Sequence, residues 1–175
     1  SQAEHGTGHE KVLFVTDSMK LAKEVREEMM VQASKLSRSE QLKKMLPNGA
    51  LLVVANNLDM AMELCNRFAP EHLEIMVREP RAWLKKVKNA GAVFAGEWTP
   101  ESVGDFTAGP SHVLPTGGTA SMFSGLTSED FRKRISIISY TRADLQDALP
   151  IIEDFGRVES LDAHARSATI RFEKT

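Results

Sequence analysis

Short unbroken apolar runs alternate along this chain with stretches in which apolar residues recur every three or four positions. The runs are Lys11-Val-Leu-Phe-Val-Thr16, Ala50-Leu-Leu-Val-Val-Ala55, Leu73-Glu-Ile-Met-Val77 and Ala92-Val-Phe-Ala95, and their brevity and β-branched content predict buried strands. Between the first two, Asp17 or Ser18 is placed to cap a helix whose buried face is Leu21, Val25, Met29, Ala33 and Leu36, and Pro47-Asn48-Gly49 predicts a turn. Asn57 caps a second helix with Leu58, Ala61, Leu64, Cys65 and Phe68 on one face, and a third opens at Pro80, carries Trp83, Leu84 and Val87, and leaves at Gly91. Unbroken runs separated by helices favour a parallel sheet covered on both faces. The expected fold class is therefore α/β, an incomplete Rossmann-like parallel sheet with helices on both faces. Ligands of such sheets gather beyond the carboxyl ends of the strands. The stretch from Glu101 to Thr119, broken by Gly104, Gly109, Pro110, Pro115, Gly117 and Gly118, begins just past the last run and is expected to be an irregular, site-bearing loop.

The pattern changes after residue 127. A short helix is predicted over 128–134, and Ile135-Ser-Ile-Ile-Ser-Tyr140 alternates apolar and polar residues. A helix from about Ala143 to Phe155 turns Leu145, Leu149 and Ile152 to one side, with Pro150 expected to kink it and Gly156 to loosen it. Ser160 is placed to cap a last helix carrying Leu161, His164, Ala165, Ala168 and Phe172. Two parts are expected: residues 1–127 as part of a Rossmann-like domain bearing the site, and 128–175 as a C-terminal helical arm that packs on a partner subunit.

Composition narrows the function. With 42% hydrophobic and 26% charged residues in 175, the chain can bury a core. A net charge of −2 with interspersed signs gives no nucleic-acid footprint, and no apolar run reaches membrane-spanning length. The single cysteine, Cys65, cannot form an internal disulfide and reads as a packed thiol of a reducing compartment, cytoplasmic or, in a plant, plastid. A start at Ser1 rather than methionine is expected of a piece of a longer chain. Gly6-Thr7-Gly8 precedes the first strand instead of following it and lacks the third glycine, so it is no dinucleotide fingerprint.

Candidate chemistry lies in small islands. Gln2 and His5, three apart, project the same way from a helical turn, or belong to a solvated terminus. Glu71 and His72 follow Pro70, either as two acid–base groups addressing one substrate or as a solvated glutamate beside a helix-end histidine. Asp105 and His112 are an oxygen and nitrogen pair suited to a divalent metal, or a turn cap and a loop donor. Glu159 and His164 sit at and on the last helix, where histidine is commonly a satisfied core residue. Cys-x-x-Cys, His-Glu-x-x-His and P-loop motifs are all absent from the sequence.

The islands together resemble the histidinol dehydrogenase family. The matching words are Ser-Gln-Ala-Glu-His at 1–5, Ala-Pro-Glu-His-Leu-Glu at 69–74, Gly-Asp-Phe-Thr-Ala-Gly-Pro-Ser-His-Val-Leu-Pro-Thr at 104–116 and Leu-Asp-Ala-His-Ala-Arg at 161–166. The resemblance covers essentially the whole chain and places it in the C-terminal portion of a longer enzyme. It implies that Gln2, His5, Asp105 and His164 are zinc ligands, with His164 supplied by the partner of a homodimer, and that Glu71 and His72 are the acid–base pair. Substrate contacts would come from Gln2, His5, His72, Asp105, His112, Glu159 and His164. The implied reaction is two successive NAD-dependent oxidations of L-histidinol to L-histidine, with the NAD contacts in the part of the enzyme outside this chain. These 175 residues alone are then expected to give little or no turnover. Oxidation of another small alcohol, or a non-catalytic metal-binding or dimerisation role for this stretch, are the other readings.

Overall fold

A computed structural model of the chain describes residues 1–5 and 8–173; Gly6 and Thr7, two residues of the Gly-Thr-Gly segment set aside above, lie outside the described residues. The fold is α/β. Strand β1 (Val12–Thr16) pairs in parallel with β2 (Ala50–Val54), Val12 opposite Ala50 through Thr16 opposite Val54. Strand β3 (His72–Ile75) pairs in parallel with β4 (Ala92–Ala95), His72 opposite Ala92 and Ile75 opposite Ala95. Ladder bonds thus stay within each β–α–β unit, giving two strand pairs in place of one continuous sheet. Helix α3 (Leu58–Phe68) joins them through packing: it lies against β1, while its buried Met62 meets Leu73 and Ile75 of β3. The strands are also more open than their sequence suggests, with Leu51, Val54 and Val93 at 52%, 37% and 37% exposure.

Helix α1 (Met19–Ala33) starts where Ser18 Oγ accepts the Leu21 N–H at 3.2 Å. Ala33 is buried in the core with Met29 packed beside it and Val25 half-buried, so the predicted stripe faces inward except at its ends, where Leu21 and Leu36 are exposed and Ala22 is buried instead. Helix α2 (Ser39–Gly49) runs straight through the expected Pro47-Asn48-Gly49 turn. Leu42, Met45, Leu46 and Gly49 recur at helical spacing and are all buried, so tertiary packing overrides local turn chemistry. Gly49 is required there, since a Cβ would come within 2.6 Å of the Glu10 carbonyl oxygen.

Asn57 caps α3 as expected, its Oδ1 accepting the Met60 N–H at 2.9 Å. Asn57→Ala is expected to cost about 1 kcal/mol, measured as a lower urea midpoint at unchanged slope. Helix α4 (Pro80–Trp83) opens at the predicted proline but yields to a short 3-10 turn, Leu84–Lys86, well before Gly91. The cause is Asn66 of α3. Its side chain donates to the Lys86 carbonyl at 2.9 Å and accepts the Lys88 N–H at 2.7 Å, capturing the groups that would have continued the helix.

The chain divides into two compact units, Ser1–Phe131 and Arg132–Thr175. In the second, helix α6 (Arg142–Val158) begins with a capping box between Thr141 and Asp144. The Thr141 N–H and hydroxyl hold the Asp144 carboxyl below the usual carboxylate range, a contribution present at neutral pH and lost as acid titrates the group. Pro150 lies within α6, which runs past it to Val158. Gly156, expected to loosen the helix, instead seats it on helix α7 (Asp162–Thr169): a Cβ there would meet that of Ala165 at 2.7 Å. Ser160 takes a left-handed conformation, φ 57°, and α7 opens at Leu161 without a side-chain cap. Residues 128–131 form a 3-10 turn, and 132–140 belong to no helix or strand. No described helix is long and apolar enough to cross a membrane.

Candidate functional site

The first residues of the chain are tied down. Gln2–Glu4 form a 3-10 turn whose Ala3 is buried in one core cluster with Ala33, Leu42, Met45 and Leu46. The Arg38 guanidinium donates to the Glu4 carbonyl at 2.5 Å. With the backbone anchored just after Gln2, its side chain reaches the ring of His72, 70 residues away, and Gln2 Oε1 lies 2.8 Å from His72 Nδ1. With the carboxamide oxygen turned to the ring, the ring hydrogen is on Nδ1 and the neutral imidazole carries its lone pair on Nε2.

His72 is the first residue of β3, and its side chain is only 4% exposed. It is aimed by an ordered corner. Helix α3 ends at Ala69, which is buried and left-handed at φ 49°. The Pro70 and Glu71 carbonyls then accept the N–H groups of Gly91 and Ala92 at 3.0 and 2.8 Å. Gly91 sits so close that a Cβ would fall 2.6 Å from the Glu71 carbonyl oxygen. The His72 ring meets Phe94 of β4 edge-on, centroids 5.9 Å apart, and His5 similarly at 6.1 Å. Its Nε2 has no hydrogen-bond partner and faces two carboxylates, Glu71 and Glu101, each at 4.0 Å.

The stretch expected to be a loop begins with a helix, α5 (Glu101–Phe106). Glu74 of β3 accepts the Glu101 N–H at 2.9 Å and fixes its start. Gly104 lets it lie on the sheet, because a Cβ there would strike the Phe94 ring at 2.7 Å. Four residues apart on one helix, Glu101 and Asp105 share a face. His5, Glu101 and Asp105 each offer a ligand atom, all within 4.8 Å of one another. Glu101 was not singled out from sequence; its spacing to Asp105 becomes a signal only once a helix is drawn there.

The six side chains Gln2, His5, Glu71, His72, Glu101 and Asp105 are thus linked by contacts: Gln2 on the Nδ1 edge of His72, Glu71 and Glu101 off its Nε2 edge, and His5 and Asp105 beside Glu101. His112 is exposed in the loop that follows α5. Glu159 closes α6 and His164 stands on α7; both are exposed and both belong to the second unit, so the hydrophobic face of that helix does not bury the histidine. Cys65 packs beside Met62, Leu73 and Ile75, and burial pushes its thiol up from the ordinary value, as suits a core thiol rather than a nucleophile.

Parallel β–α–β units that carry an imidazole flanked by carboxylates and a cation-sized cluster of nitrogen and oxygen donors define an α/β protein with acid–base equipment. The family profile for histidinol dehydrogenase matches residues 1–172. The histidinol dehydrogenases of Heliobacterium mobile and Moorella thermoacetica are 44% and 45% identical to the chain over 174 and 173 residues, 99% of this chain and 41% of each relative. The crystal structure of histidinol dehydrogenase from Elizabethkingia anophelis superposes with a TM-score of 0.90 at 29% identity, covering 97% of this chain and 39% of that one. The chain belongs to the histidinol dehydrogenase family, an oxidoreductase family of histidine biosynthesis, and spans about 41% of the length of the curated relatives it matches.

Proposed function

We propose that this chain is the substrate- and zinc-binding portion of an NAD-dependent enzyme that oxidises L-histidinol through the aldehyde to L-histidine. The observation that carries the reading is the convergence of Gln2, His5, Glu71, His72 and Asp105, drawn from three separate stretches of sequence. The donor chemistry fits a divalent ion: the His5 imidazole and the Glu101 and Asp105 carboxylates offer ligand atoms within 4.8 Å of one another, and the buried Oε1 of Glu101 lacks a hydrogen-bond partner. Gln2, His5 and Asp105 would hold zinc there, with His164 contributed across a homodimer. Bound zinc would act as a template for the imidazole and amine of the substrate.

The chain's own acid–base work falls to the Glu71-His72 corner. His72 Nε2, the lone-pair nitrogen, would accept the alcohol proton, with the Glu71 and Glu101 carboxylates 4.0 Å from it. Glu71, more accessible than His72, would activate the water that adds to the aldehyde, so that two successive oxidations have two bases at one carbon. His112 and Glu159 are proposed as further substrate contacts. Bound NAD supplies the hydride acceptor for both steps. Its contacts are assigned to the part of the enzyme outside this chain, as the family resemblance implies.

The test is NADH formation by the full-length protein with L-histidinol. The expected result is NADH production that stops when zinc is stripped by chelation and returns when zinc is restored. Turnover of a different small alcohol with none of histidinol would overturn the substrate assignment.

A further inference from the structure

One side chain that bears on the His72 corner has no polar atom. Strands β3 and β4 pair with His72 opposite Ala92 and Glu74 opposite Phe94. Side chains two apart along a strand share a face, so His72, Glu74 and Phe94 project to one side. Helix α5 lies on that side: Glu74 accepts its Glu101 N–H at 2.9 Å, and Gly104 rests on the Phe94 ring. Phe94 is buried. Its ring meets His72 with centroids 5.9 Å apart at an interplanar angle of 65°. At the other contact, Cε1 and Cζ lie 2.7 and 2.8 Å from the place a Cβ on Gly104 would occupy. One rigid ring thus touches both the base and the helix.

We propose that Phe94 is a positioning residue for the reaction. Its ring is the spacer that holds the His72 imidazole and helix α5 at their working separation, and glycine at 104 is its seat. This rests on the reading that His72 accepts the alcohol proton. The bond to Gln2 at 2.8 Å fixes one atom of the imidazole and leaves the ring free to swing about it; the packed edge of Phe94 restricts that swing. Orientation at this level matters because a misplacement of about 1 Å can cost on the order of 100-fold in rate.

Steady-state kinetics of the full-length enzyme with L-histidinol and NAD test this. Phe94→Leu shortens the spacer, and Gly104→Ala drives a methyl into it. Each is expected to lower kcat about 10- to 100-fold, with a much smaller change in KM. Phe94→Met, closer in volume, replaces the leucine variant if that one does not fold. In the double variant the alanine methyl takes the room that leucine leaves, and kcat is expected to recover toward wild type. A merely structural contact would lower the melting temperature of the single variants and leave kcat unchanged. Losses that multiply in the double variant, or wild-type kcat in both single variants, overturn the spacer role, while a crippled His72→Asn keeps the acid–base reading in place. Wild-type kcat in His72→Asn overturns that reading and the spacer role with it.

Discussion

His72→Asn in the full-length enzyme is expected to lower kcat about 10²- to 10⁴-fold while leaving KM and zinc content close to wild type. Asparagine is chosen because its side-chain N–H₂ can replace the Nδ1 donor that holds Gln2 Oε1 at 2.8 Å, so the corner keeps its shape. What disappears is the lone pair on Nε2, the buried atom that has no hydrogen-bond partner of its own. The split between kcat and KM separates a proton acceptor from a binding contact: a group used equally in ground and transition states would move KM. Steady-state kinetics decide it, and an unchanged kcat would remove His72 from the acid–base role.

The largest stability effect is expected at Gly91. Its Cβ position lies 2.6 Å from the Glu71 carbonyl oxygen, and Leu114 and Pro115 close the other side at 3.3 and 3.2 Å. The carbonyl is itself fixed, because it accepts the Ala92 N–H at 2.8 Å. Nothing flexible can give way. Gly91→Ala should therefore destabilise the fold by about 1–3 kcal/mol, read from chemical denaturation. It should also depress activity in whatever protein remains folded, since the displaced backbone is that of Glu71 and carries His72. Gly109 is the comparison. Its φ of 97° makes alanine strained, but no atom stands within 4 Å, so its substitution should leave the site intact.

The sequence carried the strands and the capped helices because their determinants are local. The runs at 12–16, 50–54 and 92–95 are strands, Ser18 and Asn57 cap helices, and Pro80 opens one. Where the reading departed from the structure, a distant contact decided the outcome. Leu42, Met45 and Leu46 are buried together with Ala3 and Ala33 and carry α2 through a proline and an asparagine. Asn66 halts the helix after Trp83. The alternation at 135–140 looked strand-like, yet those residues find no ladder.

The site was legible as a set of words and not as geometry. Composition and spacing left each island ambiguous, and the resemblance to a family joined them. The 2.8 Å contact from Gln2 to His72 then shows that the islands at the start and middle of the chain meet. Glu101 escaped notice because glycine at 104 argued against a helix. That glycine is tolerated because the helix rests on the Phe94 ring, where a larger residue would not fit.

The stretch after Arg134 bears on how such a protein behaves in a tube. Ile135, Ile137, Ile138 and Tyr140 stand 72%, 92%, 81% and 61% exposed on backbone outside any strand ladder. A short β-branched tract of this kind is a nucleus for intermolecular strand pairing. The run Arg132, Lys133, Arg134 immediately before it acts as a charged gatekeeper, since stacked copies would bring like charges together. Low ionic strength should keep the chain dispersed, and salt, by screening those three cations, should bring on turbidity.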